Sequence, residues 1–246
     1  MLLTMKSGVQ AMRLLGLYAA LQLDRAQALE DAQAAKIALS RAELLIPIVK
    51  GWCTEWANEL ISTGVQIHGG MGYIEETGIA QTMRDARIAA IYEGTTGIQA
   101  NDLLGRKLGR DHGATMLRLT EEAQQELNRF TSQGMNVETA INALRELHDV
   151  TEFLLIQLTN APAQAYAVSV PYLMMCGFTF GAWLTTSASC IAKQLLAIGH
   201  DDKEFLQGKI QSSQFYIDHI LPTVYSLAAV VRKGADSVVN AEVELI

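Results

Sequence analysis

Apolar side chains recur at three- and four-residue steps along most of this chain, and no stretch alternates apolar with polar residues for the length of a strand. That spacing lines one face of an α-helix. Proline points the same way: there are four in 246 residues, beside an abundance of Ala, Leu, Gln and Glu, which suit helices. The expected fold class is all-α. Half of the residues are apolar, enough to bury one large core or two modest ones.

Val9, Met12, Leu15, Ala19 and Leu23 line the first helix, and the polar segment from Asp24 to Ala35 holds a turn. A second helix follows through Ile37, Leu39, Ala42 and Leu45. Pro47 is expected to break or kink it, or to open a third helix that carries Val49, Trp52, Cys53, Trp56 and Leu60 to about Val65. A glycine-dense loop at 68–73, a short helix at 79–89 and a turn at 92–97 come next. Thr95 is a suitable N-cap for the helix through Ile98, Leu103, Leu104 and Leu108, whose last turn holds Arg106, Lys107 and Arg110. A boundary at 111–113 divides the chain into residues 1–111 and 112–246. The second part reads as four helices, roughly 114–132, 137–159, 163–198 and 202–232, joined by short connections such as Gly134-Met135-Asn136. These imply a four-helix bundle, with kinks at Pro171 and Pro222 and a loose tail from 234.

The formal charge is −7, of which residues 112–246 carry −6. Neither half has the basic footprint of a nucleic-acid-binding protein. Residues 153–192 hold no charged side chain, but polar residues and two prolines interrupt them. A buried bundle helix therefore fits better than a membrane span. The start of the chain lacks the pattern of a secretory signal. Cys53, Cys176 and Cys190 are widely spaced in apolar surroundings. They read as buried thiols in a reducing, cytoplasmic setting, with no metal site. The five histidines show no ligand spacing, and His148-Asp149 reads as a helix-surface pair. Trp52, Trp56, Trp183 and the cluster from Tyr172 to Trp183 read as packing.

Two segments stand out from this background. Gln66-Ile67-His68-Gly69-Gly70-Met71-Gly72-Tyr73 holds three glycines in four positions. Such a backbone can approach a ligand closely, or simply make a tight interhelical turn. No strand precedes it, so it is not a dinucleotide fingerprint. The second segment runs from Arg84-Asp85 to Tyr92-Glu93-Gly94-Thr95. A glutamate beside a glycine at a helix start can project into a cleft, and the apolar flank from Ile88 to Tyr92 is expected to raise its pKa towards that of a general base. Arg84-Asp85 reads as a structural ion pair, and Glu75-Glu76 as a solvated loop.

Taken together, Gln66-x-x-Gly69-Gly70-x-Gly72-Tyr73, Met83-Arg84-Asp85-x-Arg87 and Ile91-Tyr92-Glu93-Gly94-Thr95-x-x-Ile98-Gln99 resemble, in order and spacing, the C-terminal helical domain of acyl-CoA dehydrogenases. The resemblance covers residues 1 to about 110. The trailing bundle is similar to the extra C-terminal domain of the long, 3-methylmercaptopropionyl-CoA dehydrogenase-like subfamily, which also carries the sequence seen here from Glu93 to Leu103.

The resemblance implies an FAD-dependent oxidoreductase of fatty acid metabolism that converts an acyl-CoA to a 2-enoyl-CoA. Glu93 matches the base that removes the α-proton, while a hydride passes from the β-carbon to flavin N5. A partly desolvated carboxylate of raised pKa suits so weak an acid. Gln66, Gly69 and Gly70 match the loop along the adenosine end of FAD in a neighbouring subunit. Thr95, Thr96, Gly97 and Gln99 match positions near the FAD of their own subunit, and Tyr92 and Gly94 match residues lining the acyl-CoA pocket. A homo-oligomer and an electron-transfer flavoprotein as partner are implied as well. Ala100-Asn101-Asp102 stands where family members usually carry a basic residue. The family's N-terminal helical and middle β-barrel domains have no counterpart in the sequence, so the chain is expected to be a C-terminal fragment, incomplete at its N-terminus and inactive alone. The alternatives are an acyl-CoA oxidase, or a binding or assembly module that kept the scaffold.

Overall fold

The computed structural model describes residues 1–131 and 135–245, and every regular element among them is helical. The chain opens with α1 (Leu2–Ala28) and α2 (Ala32–Ile67). Asp31 separates them. Its carboxylate accepts hydrogen bonds from the backbone N–H groups of Gln33 (2.9 Å) and Ala34 (3.4 Å), donors that the first turn of a helix leaves free. The expected break at Pro47 is absent, and α2 runs through it for 36 residues. An interior proline costs about 3 kcal/mol or more. Leu44, Leu45, Ile48 and Trp52, all at 2% exposure or less, surround it, and each fully buried side chain of this kind returns roughly 1.5–3 kcal/mol. The faces also differ in detail. Val9, Leu23 and Leu39 point outward, and α1 buries Ser7, Gly8, Ala11, Leu15, Ala19 and Gln22. Gly8 lets α1 approach α2 closely: a Cβ there would lie 2.7 Å from Leu60.

Two 3-10 turns, Gly69–Tyr73 and Glu75–Thr77, lead to α3 (Ile79–Arg87), a further 3-10 turn (Ile88–Ala90) and α4 (Thr96–Asn101). The helix continues as a π-helical stretch, Asp102–Leu108, into α5 (Gly109–Asp111), and stops at His112 and Gly113, which have φ of 51° and 77°. Arg106 and Lys107 pair with Asp102, and Arg110 with Glu43, rather than merely facing the helix end.

The second half comprises α6 (Ala114–Thr131), α7 (Glu138–Asn160), α8 (Pro162–Ala167), α9 (Ser169–Ala197), α10 (Lys203–Phe215), a π-helical turn (Tyr216–Ile220), α11 (Thr223–Lys233) and α12 (Ala235–Val239), followed by a 3-10 turn, Val243–Leu245. The expected helix at 163–198 breaks at Val168. Pro171 therefore falls in the first turn of α9, where its missing N–H removes no intrahelical bond. At Pro222 the run does change, from the π-helical turn to α11. The tail expected to be loose contains α12, tied to α8 by the Gln164 side-chain amide, which donates to Asp236 at 3.0 Å. Gly134, Ser132 and Ile246, named in the expected connections and tail, lie outside the described residues.

α9 forms the axis of the molecule. It packs against α1, α2, α4, α7, α10 and α11, and buries residues on nearly every side. That accounts for its lack of charge before Lys193. Two helix crossings rely on glycine. A Cβ on Gly177 would lie 2.1 Å from Trp52, and one on Gly181 2.5 Å from the Tyr216 hydroxyl. In this crossing Trp52, Trp56, Phe178 and Tyr216 pack ring against ring at 5.1–6.0 Å. Tyr216 donates its hydroxyl hydrogen to the Phe178 carbonyl (3.0 Å). No helix among the described residues is long and apolar enough to cross a membrane.

Candidate active site

Glu93 sits on a turn between the 3-10 turn ending at Ala90 and α4. Its φ of 52° is left-handed, and Gly94 follows at 94°. A left-handed non-glycine residue costs about 1–2 kcal/mol, so neighbouring contacts must hold it. Three contacts flank it. The Gln99 side-chain amide donates to the Glu93 carbonyl (3.3 Å), Lys50 Nζ donates to the Gly94 carbonyl (2.7 Å), and Thr95 Oγ1 accepts from the Ile98 amide (3.4 Å) as the N-cap of α4. One step further, Thr96 donates to Glu55 (2.5 Å), and the other oxygen of Glu55 is 3.6 Å from Arg87. The Glu93 side chain is exposed. The apolar flank expected to shield it does not do so within this chain: Ile88, Ile91 and Tyr92 are 55%, 47% and 52% exposed.

The glycine loop forms a separate rim at the end of α2. Gln66, Gly69 and Gly70 are exposed, Gly69 has φ 60°, and a Cβ on Gly69 or Gly70 would meet nothing within 4 Å. Gly72 differs. It is buried, and a Cβ there would lie 2.3 Å from the Val65 carbonyl oxygen, so this glycine is needed for packing. His68 Nδ1 lies 2.8 Å from the Gly64 carbonyl oxygen, closing the helix end.

Two pairing expectations change. Arg84 does not pair with Asp85 but forks onto Glu75, at 2.9 and 2.8 Å. Glu75 is thus the anchor of an ion pair rather than a free loop residue. The Arg84 guanidinium holds its carboxyl below the usual carboxylate range, first through the hydrogen bonds and then through its charge.

Tyr92, Glu93, Gly94, Thr95, Gly97 and Gln99 therefore form one unit, and Gln66, Gly69 and Gly70 another. No hydrogen bond or ion pair joins the two among the described residues. Where α3 meets the end of α2 lies a largely apolar cleft of about 450 Å³, lined in part by Val65, Gly72, Tyr73, Met83 and Arg87. Arg87 borders this cleft and pairs with Glu55, which in turn accepts from Thr96 beside the Glu93 turn. Lys50, Glu55 and Arg87 were not among the expected site residues. A signal for two of them was available: between Glu43 and Glu59 they are the only charged side chains in an otherwise largely apolar helix. Elsewhere, burial pushes the Cys53 thiol up to about 12 and also raises Cys176 and Cys190. His148 is shared between Thr120 (3.0 Å) and Glu152 (3.9 Å) on a helix surface.

Known proteins match this chain along almost its whole length. The family described as "Acyl-CoA dehydrogenase, C-terminal domain" matches residues 1–108, and that described as "Acetyl-CoA dehydrogenase C-terminal like" matches residues 114–242. The 3-methylmercaptopropionyl-CoA dehydrogenase of Ruegeria pomeroyi is 41% identical over 98% of the chain, and the broad-specificity linear acyl-CoA dehydrogenase FadE5 of Mycobacterium tuberculosis 30% identical over 94%. The chain spans about 41% and 40% of their respective lengths. Among solved structures, Caenorhabditis elegans ACDH-11 in complex with C11-CoA shares the fold. Its TM-score is 0.69 at 18% identity, covering 97% of this chain and 39% of that one. With both halves matched by its C-terminal domain models, the chain belongs to the acyl-CoA dehydrogenase family.

Proposed function

We propose that this chain supplies the α-proton base, and parts of the flavin and substrate sites, for an acyl-CoA α,β-dehydrogenation that yields a 2-enoyl-CoA. The observation that carries the reading is Glu93 itself: an exposed carboxylate on a left-handed turn held on both sides, in a motif shared with the family. In this reading one carboxylate oxygen of Glu93 takes the α-proton, and Tyr92 and Gly94 line the acyl-CoA. Thr95, Gly97 and Gln99 face the FAD of their own subunit, and Gln66, Gly69 and Gly70 the adenosine end of FAD in a neighbouring subunit.

The residues present fit such a group. At Gly69 and Gly70 the space that a Cβ would enter is open, and the Gln66 carboxamide on the same rim offers both a donor and an acceptor. When bound, FAD supplies the hydride acceptor for the β-carbon hydrogen, with an electron-transfer flavoprotein as the onward partner. A homo-oligomer is part of the same reading. α3 is strongly amphipathic, yet it buries no residue in this chain, and Met83 on it and Ile88 just after it remain exposed.

The test is the visible absorption spectrum of the purified natural protein, taken without oxygen before and after adding a panel of acyl-CoAs. Bleaching of a flavin band by one of them is expected. Glu93→Gln should keep the flavin and slow the bleaching by about a hundredfold or more. Bleaching at the wild-type rate in that variant would sink the assignment. Rapid return of the flavin band when oxygen is readmitted would favour an oxidase, and absence of flavin an assembly module.

A further inference from the structure

The turn carrying Glu93 is held by a cation on α2. Lys50 reaches across from α2, donates to the Gly94 carbonyl at 2.7 Å, and sets its ammonium 5.8 Å from the centre of the Tyr92 ring. No carboxylate lies within ion-pairing distance of Lys50 among the described residues. A half-buried ammonium that forms no salt bridge and donates to one carbonyl has its position set by that carbonyl. The same helix provides the second hold, through Glu55 on Thr96 and Arg87.

The location matters because of the backbone. Glu93 and Gly94 are consecutive left-handed residues, and a glycine crosses between left- and right-handed conformations at little cost. A rotation at Gly94 would swing the adjacent glutamate, and misplacing a reacting group by about 1 Å can cost about a hundredfold in rate. We infer that Lys50 is a positioning residue: its hydrogen bond to the Gly94 carbonyl locks the Glu93–Gly94 hinge and so fixes the aim of the Glu93 carboxylate at the acyl α-carbon. The inference rests on the reading of Glu93 as the base. Lys50 touches neither substrate nor cofactor in it, and acts through the backbone.

Two measurements on Lys50→Met and Lys50→Arg test this. The first is amide hydrogen exchange in the chain itself, at Ile91, Tyr92, Ile98 and Gln99, whose N–H groups are hydrogen-bonded around the turn. Lys50→Met should speed their exchange about tenfold and leave α7 unchanged, and Lys50→Arg should restore most of the protection. Unchanged exchange at the turn, or equal acceleration in α7, would overturn the proposal. The second is incorporation of solvent deuterium at the α-carbon of butyryl-CoA by the flavin-loaded protein, which reads proton removal apart from overall turnover. Lys50→Met should lower the saturating rate by about tenfold to a hundredfold, with the half-saturating concentration within about twofold of wild type and partial recovery in Lys50→Arg. A wild-type rate in Lys50→Met overturns the positioning role. Glu93→Gln is the control: a wild-type rate there sinks the base reading, and the positioning role with it, whatever Lys50→Met does.

Discussion

At Gly177 the side chain of Trp52 lies where a methyl group would go, with Cγ 2.1 Å from an ideal Cβ. Trp52 is fully buried, tilted against Trp56 and edge-to-face with Phe178, so it has no room to retreat. Gly177→Ala should therefore lower stability by about 1–3 kcal/mol, read as a fall in the denaturant midpoint at constant slope. An unchanged midpoint would mean that α9 slides more easily than this packing allows. Nothing local in the sequence marks Gly177 as different from any other helical glycine, because the residue it makes room for lies on another helix. Glu93, Gly69 and Gly70 are the opposite case. They belong to short motifs whose residues are neighbours in sequence and space, so they can be picked out before the fold is known. Lys50 falls between. It is conspicuous as a cation in an apolar run, but its partner, Gly94, is 44 residues away, and only the packing of the helices brings the two together.

Among the elements, α6 and α7 keep within a residue of their expected bounds, α1 turns Val9 and Leu23 of its expected face outward, and the larger departures have physical causes. α2 passes Pro47 because buried side chains on both sides outweigh one lost hydrogen bond. The break in the α8–α9 run comes at Val168, three residues before the proline expected to cause it. Local propensity places a helix better than it places an interruption, since an interruption depends on what packs across it. α3 shows how a charge contact can do what burial does not. With no buried residue of its own, it lies against α2 and is tied to the 3-10 turn Glu75–Thr77 by the Arg84–Glu75 fork. The Glu75 carboxyl is held below its ordinary range, so the tether is fully present above that range and is lost as pH falls through the lowered value. Amide exchange across residues 69–87 should accordingly rise on acidification beyond that of a Glu75→Gln control at the same pH. Identical pH profiles for the two proteins would mean that the loop is held by its 3-10 turns alone.

For the molecule as a whole, we read residues 1–111 and 112–246 as two modules of sequence that share one core. The boundary is visible in charge and composition, but the sharing is not, because it depends on α9 lying along α1, α2 and α4 as well as along its own bundle. One contiguous cluster of buried side chains runs from Ala11 to Val231, and its aromatic centre takes Trp52 and Trp56 from the first module, Phe178 and Tyr216 from the second. Asn101, the last residue of α4, adds a polar link by accepting from Ser169 at 3.1 Å. If each module carried its own core, heating would melt them separately. With the core shared, removing either half strips apolar surface from the other, and at about 25 cal/mol per Å² a few hundred Å² of it matches the whole stability of a typical domain. Tryptophan fluorescence, which reports Trp52, Trp56 and Trp183 at the junction, and far-ultraviolet dichroism, which reports all helices, should therefore give one coincident thermal transition. A fluorescence transition that precedes the loss of helix by several degrees would show the modules separating before they unfold, and the single-core description would fail.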